Sequence, residues 1–172
     1  SGYTSTVTDF DSYIASSPTH KGDTLYYNWF SAIGTTTGNF DFDLGDSYTI
    51  ESFALWNHGG DMNSNVIGFQ LLADDNAGFA SPTVLGSFTA DPDLGTASAV
   101  QAQVFTFAPA TASHVRMQIT SNNGNGSITG FGEAAFEAGT VPEPTTLHLL
   151  LFGSMTLMGL SLKRLRRTAS SR

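Results

Sequence analysis

The sequence predicts an all-β body, a two-layer sandwich of seven or eight short strands, followed by a single apolar C-terminal helix. Three observations predict it. Helical periodicity is hard to find before residue 145, short alternations of apolar and polar residues are plentiful there, and clusters of Gly, Asn, Asp and Pro separate them. Phe40, Phe42 and Leu44 alternate with Asp41 and Asp43. Ile67, Phe69 and Leu71 alternate with Gly68 and Gln70, and Val115, Met117 and Ile119 with Arg116 and Gln118. Each is a strand with one buried face. Tyr48–Trp56, Val84–Phe88, Gln103–Phe107 and Gly130–Glu137 are further strands, and Asp74-Asp75-Asn76-Ala77-Gly78 reads as a hairpin connection. The loops richest in Asn and Gly are Asn57–Asn65 and Ser121–Ser127; no repeat of 20–50 residues is visible.

The last 32 residues carry a different message. Val141-Pro142-Glu143-Pro144 precedes an uncharged run from Thr145 to Leu162, after which come Lys163, Arg164, Arg166 and Arg167. Eighteen residues at helical rise span about 27 Å, close to the roughly 30 Å of a bilayer's hydrocarbon, so the run is long enough to cross once. Basic residues on its C-terminal flank predict that this end stays in the cytoplasm and the body lies on the far side. The two prolines stiffen the approach and keep it extended, suited to a protease cleft. This tripartite tail resembles the PEP-CTERM sorting signal of Gram-negative bacteria. The resemblance implies an exosortase as partner, the membrane as a way-station, and processing near the motif with transfer to the cell surface or medium. A plain single-pass anchor is the alternative; a sortase signal fits worse, because an LPxTG pattern is lacking. No N-terminal signal peptide precedes Ser1 although the tail requires export, so the chain is expected to be a mature form or a fragment.

Composition narrows the body's roles. Residues 1–140 hold two basic residues, Lys21 and Arg116, against fourteen Asp and Glu, a formal charge of −12. Such a surface repels phosphate backbones, which argues against nucleic acid as a partner, and attracts cations. With no cysteine, disulfides, thiol catalysis and thiolate metal sites are excluded. The predicted layout is a lead-in over 1–14, the sandwich over 15–138, a linker with the Pro-Glu-Pro motif over 139–144, the membrane helix over 145–162 and a basic tail over 163–172.

Gly22-Asp23 before Trp29, then Phe42-Asp43-Leu44-Gly45, Tyr48 to Phe53, Ile67 to Leu71 and His114 to Ile119 resemble, in order and spacing, the discoidin or coagulation-factor type C domain, which overlaps with the galactose-binding-like carbohydrate-binding modules. The resemblance implies an eight-stranded jelly-roll sandwich whose end loops bind glycans, lipids or proteins without catalysis. It also implies a structural calcium between an early loop and the last strand, here Asp23, Thr24 and Glu133. Lys21 stands where a further aspartate belongs, a departure that sets a cation beside the site.

Candidate ligand-binding residues lie in the loops: Tyr26, Tyr27, Asn57, His58, Asp61 and Asn123, with Asn63, Asn122 and Asn125 beside them. Their amides and hydroxyls can match a sugar's donors and acceptors, while tyrosine adds apolar contact. For any single asparagine the plain role of turn-former is the favoured one. Trp29 is expected in the core, Trp56 at a strand end, and Arg116 paired with a carboxylate. Catalysis is not expected: hydrolase, zincin and phosphate-loop motifs are absent, His20, His58 and His114 lack metal-ligand spacing, and adjacent acids such as Asp74-Asp75 cannot face one another across a cleft. The expected function is binding of carbohydrate or an exopolysaccharide matrix, with a structural matrix protein as alternative and a secreted hydrolase as a remoter one.

Overall fold

The computed structural model describes residues 9–22, 28–96 and 98–139. In these segments the chain forms a short helix, α1 (Phe10–Ala15), and eight strands: β1 (Thr19–His20), β2 (Trp29–Phe30), β3 (Gly38–Asn57), β4 (Val66–Asp74), β5 (Thr83–Thr89), β6 (Gly95–Thr96), β7 (Ala99–Asn122) and β8 (Gly130–Gly139). Every strand pair is antiparallel, and the main order is β2-β8-β3-β7-β4-β5, with β1 and β6 added to β7.

Two long strands organise the molecule. The sequence separates 40–44 from 48–56 and 103–107 from 115–119, whereas the structure joins each pair into one strand, β3 of 20 residues and β7 of 24. The joins are irregular. Between Asp43 and Tyr48 the register slips; Gly45 adopts φ +80° and donates its N–H to Asp43 Oδ1 at 2.8 Å. A side chain there would meet the left-handed penalty that glycine avoids. Pro109, which has no N–H to give a ladder, falls in the second slip, opposite the interval between Ile50 and Ser52.

The irregularities let each long strand serve two parts of the sheet. The first part of β3 pairs with the last part of β7, which continues into β4 and β5; the rest of β3 runs between β8 and the first part of β7. These two parts face each other. Phe53 of β3 lies 5.9 Å, ring to ring, from Phe69 of β4, with which it shares no ladder, and Phe69 meets Phe105 edge-on at 5.0 Å. Ile50, Leu55, Leu71, Val115, Met117 and Ile119 complete this core. The arrangement is consistent with a β-sandwich. Burying each such side chain contributes about 1.5–3 kcal/mol before the entropy of ordering is set against it.

A second, smaller core covers the outer face of β3. Ala54, Trp56 and Val100 pack there under Phe10, Tyr13 and Ile14 of α1. Asp9 caps the helix, accepting from Ser12 N at 2.8 Å, and Trp56 Nε1 donates to Pro18 O at 3.0 Å. Helix α1 lies mostly within the segment predicted as a lead-in. Its six residues are too short for periodicity to register, although the i, i+3, i+4 spacing of Phe10, Tyr13 and Ile14 is present. Among the described residues no helix is long and apolar enough to cross a membrane; the apolar run 145–162 lies outside them.

Candidate functional site

The two asparagine-rich loops meet at one end of the body and are stitched together. Asn57 is buried, and its side chain caps the start of β4 twice, with Nδ2 donating to Val66 O at 3.0 Å and Oδ1 accepting from Val66 N at 2.9 Å. His58, 5% exposed, accepts from Asp61 N at Nδ1 (3.2 Å) and sets its ring edge-on to Phe30 at 4.7 Å. Burial pushes its pKa down, outweighing the stabilising contacts with Asp61, so the ring is held neutral. Asp61 accepts from Asn63 N through Oδ1 and from Asn125 Nδ2 through Oδ2. Asn123 donates its backbone N–H to Asn65 O and its amide to Met62 O, while Asn122 reaches Asn125 O and Ile128 O.

Six sequence candidates therefore divide three ways. Asn57 and His58 are internal supports that do not face solvent. Asp61 and Asn123 are partly exposed and already hold the loops together. Tyr26 and Tyr27 lie outside the described residues, as do Asp23 and Thr24. Glu133, the remaining member of the expected calcium set, stands on β8 with Oε2 3.4 Å from His20 Nδ1. Among the described residues no group of three or more His, Cys, Asp or Glu is placed to hold a metal. Trp56 is buried and Trp29 packs edge-on against Phe40 at 5.0 Å, so neither offers an open platform. Arg116 forms a two-pronged pair with Asp41 at 2.6 and 2.7 Å, over the Phe79 ring; that hydrogen bonding holds the Asp41 carboxyl below its ordinary range.

At the other end of the body, where β3 slips its register, a concavity of about 430 Å³ opens against β8. Phe42, Ile50 and Phe136 line it together with Leu44, Tyr48 and Asp43. Ala134 and Ala138 on β8 create the room by being small. The aromatic packing is fixed from below, since Phe42 meets Phe136 at 5.1 Å and Phe53 at 6.1 Å. No loop-centred pattern pointed to this place, because Phe42, Asp43 and Tyr48 read as members of two ordinary strands.

Comparison with known proteins separates fold from sequence. No family model matches the chain, and no curated protein is significantly similar to it. Solved structures do match. A CBM32 module of Clostridium perfringens, solved with GalNAc-β-1,3-galactose, superposes with TM-score 0.54 at 17% identity over 69% of this chain and 78% of that one. A second, from a family 31 glycoside hydrolase of the same organism, gives 0.54 at 14% over 69% and 78%. A SusE-like protein gives 0.55 at 15% over 70% of this chain and 55% of its own length. At this level of identity the likeness is one of fold, a β-sandwich shared with these modules.

Proposed function

We propose that this chain is an exported bacterial surface protein whose β-sandwich binds carbohydrate without catalysis and whose tail is a PEP-CTERM sorting signal read by an exosortase. The observation that carries the first half is the fold, shared with modules that carry sugars in their structures or are attached to sugar-cleaving enzymes. The tail supports the second half through its motif, apolar run and basic cluster standing in that order. A body with formal charge −12 favours uncharged glycans over uronates, unless a cation bridges them.

Binding of the full chain to an array of neutral, amino and acidic glycans is the direct test: retention on at least one glycan is expected, and none on any would remove the carbohydrate reading. A structural matrix role without a specific ligand is the second reading. It is favoured by the loop end, where Asn122, Asn123 and Asn125 donate their amides to Asn125 O, Met62 O and Asp61 Oδ2 within the loops rather than presenting them to solvent. Calcium belongs to the proposal as a link from Asp23 and Thr24 to Glu133. Because a metal bound only to the folded state stabilises it by mass action, millimolar calcium should raise the melting temperature, chelator should reverse the rise, and Glu133→Gln should remove most of it. A melting curve indifferent to calcium leaves Glu133 beside His20 with no metal role.

A further inference from the structure

We propose that the sugar-binding site is the concavity at the β3 register slip, not the asparagine-rich loop end, and that it takes an uncharged or amino-bearing pyranose. The inference rests on the carbohydrate reading and gives it an address. Small-ligand sites are concave, mostly apolar and fitted with a few polar groups that orient the guest, in volumes of about 300–1,000 Å³. This concavity, at about 430 Å³, meets that description.

Its chemistry suits a sugar ring in three respects. Tyr48, 38% exposed, offers a flat apolar surface with a hydroxyl at its tip, the combination that contacts the C–H face of a pyranose while remaining hydrated. Asp43, whose side chain is 75% exposed, uses Oδ1 for Gly45 N at 2.8 Å and stands 3.8 Å from His114 Nε2, which leaves Oδ2 to accept from sugar hydroxyls. A carboxylate so exposed accepts without the penalty of burying a charge. No lysine or arginine lines the concavity, so a uronate would meet Asp43 with like charge, whereas a hydroxyl or protonated amine would not.

The site is also pre-shaped. Its floor is Ile50, fully buried, with Phe42 and Phe136 locked edge to face, so little side-chain ordering remains to oppose binding. Among the described residues of the loop end, by contrast, the amides of Asn57, Asn122, Asn123 and Asn125 are engaged and His58 is buried.

Titration of the full chain with galactose, N-acetylglucosamine, glucosamine and glucuronate, followed by backbone amide shifts, distinguishes the possibilities. At least one neutral or amino sugar should move amides of residues 43–50 and 134–138, and glucuronate should not. Tyr48→Ala, at an exposed position, should weaken binding about tenfold or more with melting unchanged, and Asp43→Ala should weaken it to the same extent while also giving up the bond to Gly45 N, the loss of one good sugar contact in each case. Ala138→Phe, at an exposed position on β8, should close the concavity and abolish the shifts. Shifts confined to 57–65 and 122–128, unaltered in all three variants, would overturn the groove and keep the carbohydrate reading. Glucuronate occupying the groove would overturn the charge selectivity, and no response to any sugar, together with a blank glycan array, would overturn both.

Discussion

At residue scale, His58 shows how a polar loop residue becomes a core residue. Its environment was invisible in sequence because a histidine next to two glycines in an asparagine-rich stretch reads as exposed; what buries it is Phe30, which arrives from β2, 28 positions upstream. Since the folded value of His58 is lowered, its contribution to stability is whole above the unfolded value of about 6.5 and is lost as the pH falls through it, where the unfolded chain takes up the proton that the folded ring resists. Urea midpoints should therefore decline between pH 7 and pH 5, and His58→Gln should flatten that slope. Equal slopes in the two proteins would assign the decline elsewhere. Arg116 is the opposite case. Its pairing with a carboxylate was legible, because the only arginine of an acidic body in a strand has partners everywhere; that the partner is Asp41, its direct cross-strand neighbour, required the register.

At the scale of elements, strand identity was readable and strand continuity was not. Alternation marks where side chains face, and it survives a register slip on either side; nothing in alternation tells whether the chain turns back or merely bends between Leu44 and Tyr48. The helix α1 was missed for want of length, yet it decides the fate of Trp56, which ends up 1% exposed because Tyr13 and Ile14 cover it. Trp56→Ala should cost about 3–5 kcal/mol, the usual range for emptying a buried aromatic site. Removing residues 1–15 in a Trp29→Phe background should shift Trp56 emission to the red as water reaches the ring. An unshifted spectrum would mean that α1 is not its cover.

At the scale of the whole molecule, the sorting role proposed for the tail divides into parts that separate experimentally. On that proposal insertion depends on the apolar run and processing on the motif, so replacing Pro142, Glu143 and Pro144 with alanines should leave membrane insertion intact and stop cleavage in a cell that carries the sorting enzyme. Equal processing of both forms would reduce the tail to an anchor. The sandwich was legible as a class, since many short strands broken by turn residues have few other ways to bury their faces. The concavity at the β3 register slip was not, because loops look like sites in a sequence and a dent between strands leaves no mark in the alternation. The continuity of β3 and β7 across both faces has a consequence for motion. Between Thr49 and Trp56 β3 is flanked by both β8 and β7, and between His114 and Ile119 β7 is flanked by both β3 and β4, so these stretches cannot open without breaking two ladders at once. Their amide protons should outlast all others in deuterium, exchanging only when the entire body unfolds. The protons of β2 and β5, at the ends of the order, should leave first, by fraying that never reaches the core.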